Sequence, residues 1–128
     1  MKNKRILMID DDIQLTQSMR INLEDTGQFD VMIENQSNKA ISTARAFKPD
    51  LIILDVVMPG LDGGDVSALL KSDPYLSDVP IIMITALLSN DETGNESMLR
   101  SGDHLMMAKP IRFEKLLNVI ESSLAGSV

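Results

Sequence analysis

The chain has 128 residues, of which 44% are hydrophobic and 24% are charged, with a formal net charge of -7 and no cysteine. This composition is typical of one globular domain, and it excludes a disulfide framework, a thiolate zinc site and a cysteine nucleophile. The negative charge and the scattered lysines and arginines argue against direct nucleic-acid binding, and no apolar run approaches the roughly 18 residues of a membrane span.

The amino terminus does not match a secretory signal. Met1–Arg5 is basic, but only the short apolar run Ile6–Ile9 separates it from an acidic block, whereas a signal peptide needs about 7–15 apolar residues. We therefore expect the protein to stay in the cytoplasm, without a membrane partner. We also expect a single domain over residues 1–128, with its core from about residue 5 to residue 124.

Apolar runs and amphipathic segments alternate along the chain. The first half predicts, in order, the strand Arg5–Ile9, the helix Ile13–Asp25, the strand Phe29–Ile33, the helix Asn38–Phe47 and the strand Leu51–Leu54. The second half predicts a short helix marked by Val66, Leu69 and Leu70, the strand Pro80–Ile84, the helix Asp91–Arg100, the strand His104–Met107 and the helix Phe113–Leu124. The helix Asp91–Arg100 contains several poor helix formers, so we expect it to be short or mobile.

Five strands alternating with five helices predict an α/β fold, a doubly wound parallel sheet with helices on both faces. The flavodoxin-like strand order 2-1-3-4-5 places the first strand beside the third, with ligands bound at the carboxyl ends of the strands. Polar residues follow four of the five predicted strands at that edge: Asp10, Asp11, Asp55, Thr85 and Lys109. We expect all five side chains to face one pocket.

The chemistry of this pocket follows from its charges. Two carboxylates about 4 Å apart repel by about 4 kcal/mol at an effective dielectric of 20, so three require a positive partner. Lys109 supplies one charge, and oxygen ligands in this number suit a hard divalent cation, either Mg²⁺ or, without an EF-hand loop, Ca²⁺. A cation, a lysine and a threonine hydroxyl around Asp55 would cradle a phosphoryl group, with Asp55 as the nucleophile.

The chain resembles a response-regulator receiver domain, the phosphoacceptor module of two-component and phosphorelay signalling. The motifs that carry the resemblance are Ile9–Asp11, Leu54–Gly63, Pro80–Ala86 and Lys109-Pro110, and the match extends from Arg5 to Leu124. Each motif is weak alone, but the four occur in the expected order at predicted strand ends. The resemblance implies a signalling switch that catalyses only its own phosphorylation and dephosphorylation, rather than a metabolic enzyme.

The resemblance also assigns roles to the pocket residues. It implies that Asp55 accepts a phosphoryl group from a sensor histidine kinase or a histidine phosphotransfer protein. Mg²⁺ would be held by Asp10, Asp11, Asp55 and the backbone carbonyl of Val57, while Thr85 and Lys109 would contact phosphoryl oxygens. The Lys109-Pro110 peptide is expected to be cis. The output face would consist of the helix Asp91–Arg100, the fifth strand and the last helix.

The sequence departs from the family pattern at Met106, where receivers commonly carry an aromatic residue or a histidine that moves inward. Val57 and Leu87 are aliphatic at positions that tune hydrolysis in this family, so we expect slow self-dephosphorylation. Asp12 is better explained as a helix N-cap than as a metal ligand, and His104 as an ordinary strand or loop residue.

Two other functions fit parts of the pattern. One is a protein-interaction module with the receiver fold but without phosphorylation, which the complete set of five pocket residues disfavours. The other is an enzyme or flavin protein of similar topology. A flavin phosphate needs hydrogen-bond donors after the first strand, where this chain has three aspartates that would repel it.

Overall fold

A computed structural model describes residues 3–56, 60, 63–85, 98–101 and 104–125 of the chain. The strands in this part of the chain are β1 (Lys4–Ile9), β2 (Phe29–Glu34), β3 (Leu51–Asp55), β4 (Ile81–Thr85), β5 (Met98–Ser101) and β6 (His104–Ala108). The α-helices are α1 (Ile13–Asp25), α2 (Ala40–Phe47), α3 (Gly63–Ser72) and α4 (Phe113–Leu124), and a 3₁₀ turn at Ser37–Lys39 leads into α2.

The strands form one sheet in the order β2-β1-β3-β4-β6-β5. The first five of these strands are parallel to one another, and β6 is the fifth predicted strand, so the predicted order 2-1-3-4-5 is confirmed. All five residues of β3 are buried, as its unbroken apolar sequence predicts for a central strand covered on both faces.

The sixth strand corrects one prediction. β5 pairs antiparallel with β6, so the prediction of a helix over Asp91–Arg100 is wrong for Met98–Arg100; residues 91–97 lie outside the described part of the chain. The sequence between the two strands is Gly-Asp, a pair that favours tight connections between antiparallel strands. The Gly-Asp pair is therefore a stronger indication of two antiparallel strands than a helical pattern over the few residues of Met98–Arg100.

Helices cover both faces of the sheet. On one face α1 and α4 bury their apolar stripes against β1, β3, β4 and β6, with Leu23, Leu116 and Ile120 at 0% exposure. On the other face α2 and α3 pack Ala40, Ala44, Val66 and Leu70 against the alternate side chains of the same central strands. At about 25 cal/mol per Å² of apolar surface, these two layers are the main source of stability.

Two local features matter for the edge where β1 ends. Asp12 is the N-cap of α1, as predicted: its Oδ1 accepts a hydrogen bond from the Leu15 N–H at 3.0 Å. The Lys109-Pro110 peptide that follows β6 is cis, also as predicted.

Among the helices that the structure describes, none has the length and apolarity that a membrane crossing requires.

Candidate functional site

The carboxyl ends of four neighbouring strands bring the predicted site residues together. Ile9 is in register with Leu54, so Asp10 and Asp55 follow adjacent paired residues on β1 and β3. Thr85, the last residue of β4, is in register with Ala108. The Lys109 N–H donates a hydrogen bond to the Thr85 carbonyl at 2.9 Å, which fixes Lys109 beside the end of β4. Strand pairing alone therefore assembles this edge.

Burial differs among these residues. Asp10, Asp55 and Thr85 are 1%, 3% and 1% exposed, whereas Asp11 is exposed at the rim. Buried carboxylates are costly unless they are paired, hydrogen-bonded or bound to a metal. The site therefore has a buried floor of two carboxylates and a hydroxyl, with one more carboxylate facing solvent.

One ammonium group faces this set of acids. Lys109 Nζ lies 3.1 Å from Asp10 Oδ2 and 3.7 Å from Asp55 Oδ2. Burial by itself lowers the pKa of Lys109, but the close contact with Asp10 and the negative charges of Asp10, Asp55 and Asp12 outweigh it, so the pKa is raised. Lys109 is therefore a permanent positive charge at neutral pH.

We call Asp10, Asp11 and Asp55 the acidic cluster. One carboxylate oxygen from each lies within 4.8 Å of the others. The Asp12 N–H donates to Asp10 Oδ1 at 2.9 Å, which turns Oδ2 toward the cluster. That oxygen is buried and accepts no hydrogen bond from any described residue, because its contact with Lys109 is an ion pair without hydrogen-bond geometry. A buried carboxylate oxygen that faces two other carboxylates is suited to contact with positive charge.

The acidic cluster fits a hard divalent cation. Mg²⁺ prefers carboxylate and water oxygens at about 2.0–2.1 Å, so oxygens that share one ion lie roughly 3–4 Å apart, and the three oxygens here, all within 4.8 Å of one another, need only small movements to share one. Three carboxylates against one lysine also leave net negative charge for a cation to neutralise. The donor set is therefore suited to Mg²⁺, with Asp10 Oδ2 as its clearest unsatisfied oxygen.

Some sequence predictions extend beyond this geometry. Val57 and Leu87 lie outside the described residues, so the carbonyl ligand and slow dephosphorylation stay predictions. Met106 is half-buried and packs with the core layer formed by α2 and α3. Sequence reasoning also missed Asn35, whose side chain donates to the Asp10 carbonyl at 2.7 Å. Its position directly after a parallel strand was the signal that could have identified it.

Comparison with known proteins assigns the chain to a family. The family model described as "Response regulator receiver domain" matches residues 6–121. The chain belongs to the response-regulator receiver family. Receiver domains are signalling switches that work with histidine kinases or phosphotransfer proteins and bind Mg²⁺ at an acidic pocket. In this chain the acidic cluster is a group of carboxylates that could hold such an ion.

Individual relatives agree with this assignment. Protein PilH of Pseudomonas aeruginosa is 34% identical over 95% of this chain and 98% of its own length. The DNA-binding response regulator MtrA of Mycobacterium tuberculosis is 34% identical over 94% of this chain but only 50% of its own length. The chain thus spans about half the length of the MtrA proteins that it matches. The chemotaxis protein CheY4 of Vibrio cholerae superposes with a TM-score of 0.78 at 25% identity, covering 94% of this chain and 98% of CheY4.

Proposed function

We propose that residues 1–128 act as one receiver domain in which Asp55 accepts a phosphoryl group from a sensor histidine kinase or a histidine phosphotransfer protein. The observation that carries this proposal is the placement of Asp55. Its carboxylate is buried at the end of the central strand, within reach of the Lys109 ammonium and the other two carboxylates of the acidic cluster. A nucleophile held in such a site meets its electrophile with the charges already arranged.

In the proposed transfer, one carboxylate oxygen of Asp55 forms a bond to phosphorus while the bond between phosphorus and the donor's imidazole nitrogen breaks. The bonding electrons leave with the imidazole, which takes up a proton from solvent. Little covalent chemistry is asked of the protein, because phosphoryl transfer depends mainly on alignment and charge stabilisation. The product is an aspartyl phosphate on Asp55.

Lys109 and Thr85 have complementary roles in this proposal. The Lys109 ammonium, now 3.7 Å from Asp55 Oδ2, would pair with one oxygen of the transferred group. The Thr85 hydroxyl, buried at the end of the adjacent strand, would donate to another oxygen. Because the Lys109 N–H donates to the Thr85 carbonyl, the backbones of the two residues are held side by side.

The cation proposed for this site is Mg²⁺, held by Asp10, Asp11, Asp55 and the Val57 carbonyl. When bound, it would neutralise negative charge on the carboxylates and on the phosphoryl oxygens. Two observations support this proposal. Three carboxylate oxygens lie within 4.8 Å of one another, and one of the buried carboxylate oxygens, Asp10 Oδ2, accepts no hydrogen bond from the described residues.

The proposed output is a change in the face that includes β5, β6 and α4. A phosphoryl group adds about 1.5–2 negative charges next to β4 and β6, enough to reorganise loops that contact it. We propose that this face binds a further protein or domain. The net charge of -7 makes direct nucleic-acid binding by this chain an unfavourable alternative.

Intact mass spectrometry after incubation with Mg²⁺ and acetyl phosphate tests the proposal. We expect the wild type to gain one phosphoryl group, and Asp55→Asn to gain none. Asp25→Asn, which alters an exposed aspartate at the end of α1, is the matched control and should behave like the wild type. An adduct retained in Asp55→Asn would place the acceptor elsewhere. No adduct in the wild type, where a known receiver is modified, would favour the non-phosphorylated interaction module.

A further inference from the structure

The residue that follows β2 is tied to the acidic loop after β1. Asn35 Nδ2 donates one hydrogen bond to the Asp10 carbonyl at 2.7 Å and another to Thr16 Oγ1 at 3.2 Å. A carbonyl oxygen can only accept, so the amide nitrogen of Asn35 must be the atom that faces it. Both hydrogens of the amide are thus committed to the first turn of α1 and the loop that precedes it.

Asp10 is held at three points. Its N–H donates to the Glu34 carbonyl at 3.1 Å, its carbonyl accepts from Asn35, and its Oδ1 accepts from the Asp12 N–H at 2.9 Å. The end of β2 therefore fixes both backbone polar groups of Asp10. Only Oδ2 is left without a hydrogen bond, and it is the oxygen that lies in the acidic cluster.

We call the hydrogen bonds from Asn35 and Glu34 to the backbone of Asp10 the clamp. Thr16 connects this clamp to helix α1. Its side chain is fully buried, and its hydroxyl donates to the carbonyl of Asp12 or Ile13, each at 3.0 Å. The same oxygen accepts from Asn35 Nδ2. One buried hydroxyl therefore connects Asn35 to the residue that caps α1.

We propose that Asn35, supported by Thr16, is a positioning residue for divalent-cation binding. It orients the Asp10–Asp11 peptide so that the carboxylates of both residues converge with Asp55. Groups outside the ligand shell that orient ligands typically change metal affinity 10- to 100-fold when they are altered. The inference rests on the proposed function to the extent that the acidic cluster is a cation site.

Substitution by aspartate separates this role from simple electrostatics. Asn35→Asp keeps the shape of the side chain, removes the amide donor and adds a negative charge near the acidic cluster. If charge governed affinity, the added carboxylate would attract the cation and tighten binding. If the donor governs affinity, an acceptor facing the buried Asp10 carbonyl disrupts the loop and weakens binding.

A neighbouring asparagine provides the matched control. Asn38 is exposed and lines, with Asp11, Asn35 and Gly60, a groove of about 340 Å³ beside the acidic cluster. Its side chain makes no hydrogen bond to the Asp10–Asp12 loop. Asn38→Asp therefore adds the same charge to the same groove without removing the clamp.

The experiment is a Mg²⁺ titration of the full chain followed by ¹H–¹⁵N NMR, with thermal unfolding of each variant in metal-free buffer. We expect the dissociation constant to rise about tenfold in Asn35→Asp and to stay equal or fall in Asn38→Asp. Thr16→Val, which removes the supporting hydroxyl, should weaken binding by a smaller factor. Retained dispersion of the amide signals in the variants would show that the fold persists.

Several results would overturn the inference. Equal or tighter binding by Asn35→Asp would show that charge dominates, and equal loss in Asn38→Asp would show a nonspecific effect. A wild type that binds no Mg²⁺ would remove the cation site itself. If Asn35→Asp does not fold, the Mg²⁺ affinity of Thr16→Val becomes the test. Wild-type Mg²⁺ affinity in Thr16→Val would then contradict the proposed role of the clamp. A wild type that binds Mg²⁺ but takes no phosphoryl group would refute only the proposed function.

Discussion

Buried aspartates at the two ends of the sheet differ in how completely their negative charge is neutralised. At the amino end, Asp73 after α3 accepts from the Tyr75 N–H at 2.8 Å and pairs with Arg45 at the end of α2. At the carboxyl end, the three carboxylates of the acidic cluster face one ammonium among the described residues, that of Lys109. The protein neutralises Asp73 by itself, whereas the acidic cluster is left with excess negative charge.

The two ends also differ in how their carboxylates are hydrogen-bonded. Burial by itself raises the pKa of Asp73, but hydrogen bonds from the Tyr75 N–H and Arg45, with the charge of Arg45, outweigh it and hold the pKa below its ordinary value of 3.8. In the acidic cluster, Asp10 Oδ2 is buried without a hydrogen bond. The hydrogen bonds and the ion pair of Asp73 therefore stabilise the fold, whereas the proposed cation site keeps three carboxylates close together at a cost in stability.

The largest expected effect on stability comes from removing the ammonium of Lys109, which faces the acidic cluster. Lys109→Met in metal-free buffer should lower the free energy of unfolding by about 3 kcal/mol, because the buried carboxylates of Asp10 and Asp55 lose an ammonium that lies within 4 Å of both. Adding Mg²⁺ should restore much of that loss, since a ligand that binds the folded state stabilises it. Urea unfolding with and without Mg²⁺ measures both quantities.

The control for this prediction is Lys39→Met, which removes an exposed lysine from the turn before α2. It should change stability by less than about 0.5 kcal/mol, with or without Mg²⁺. If Lys109→Met were as stable as the control without metal, the carboxylates would not be under repulsion and the comparison of the two ends would fail.

The same substitution at the two ends should act with opposite sign. At an effective dielectric of 20, repulsion of Asp55 by Asp10 and Asp11 at the 4.8 Å limit is about 7 kcal/mol, against about 4.5 kcal/mol of attraction to Lys109 at 3.7 Å. Asp11 is exposed, and screening that roughly halves its share of the repulsion leaves a net repulsion of about 1 kcal/mol, so Asp55→Asn should stabilise the metal-free chain by about that amount. Asp73→Asn should destabilise it.

Thermal unfolding of both variants in metal-free buffer checks this pair. Asp55→Asn should raise the unfolding temperature by a few degrees and lose the additional rise that Mg²⁺ gives the wild type. Asp73→Asn should lower the unfolding temperature and keep the full response to Mg²⁺. Two shifts of the same sign would show that the ends do not differ in the way proposed.

Acid should remove the contribution of Asp73. Its folded-state pKa lies below 3.8, so the unfolded chain binds the proton more readily and stability falls as the pH drops through the folded-state value. The stability difference between the wild type and Asp73→Asn should therefore be full near neutral pH and shrink below pH 3.8. Urea unfolding across this range measures it, and a difference that stays constant would contradict the assignment.

The smallest predicted effect compares two glycines with positive φ. Gly60, at 86°, borders the groove beside the acidic cluster, and Gly27, at 76°, lies at the other end between α1 and β2. A Cβ on Gly60 would lie 3.1 Å from Ser37 Oγ, whereas a Cβ on Gly27 meets nothing within 4 Å. Gly60→Ala should therefore cost about 0.5–1 kcal/mol more than Gly27→Ala, because Ser37 must leave its rotamer.

If urea unfolding shows the same loss of unfolding free energy for Gly60→Ala and Gly27→Ala, the Ser37 side chain moves aside without an energetic penalty. The double variant Ser37→Ala with Gly60→Ala refines the test, since removing the hydroxyl should bring its additional cost down to that of Gly27→Ala. The shared part of the cost, about 1–2 kcal/mol, comes from placing an L-residue at positive φ.

The convergence of Asp10, Asp55 and Lys109 was predictable because apolar runs located the strands and the topology aligned their carboxyl ends. The strand Met98–Ser101 was not predicted, since its four residues carry too little periodicity to separate strand from helix. The clamp by Asn35 was also missed, because it depends on the exact register of Ile9 with Glu34. Such register follows from packing across the sheet rather than from local pattern.

The central position of β3 sets what deuterium uptake would report. Its five residues are buried, and β1 and β4 flank it on both sides, so its amides should exchange only when the whole chain unfolds. The proposed acceptor Asp55 thus belongs to the slowest-exchanging part of the molecule. Changes in exchange on phosphorylation should accordingly appear in exposed loops at this edge of the sheet, such as the one that contains Asp11 and Asp12, while the strand that carries the modification stays protected.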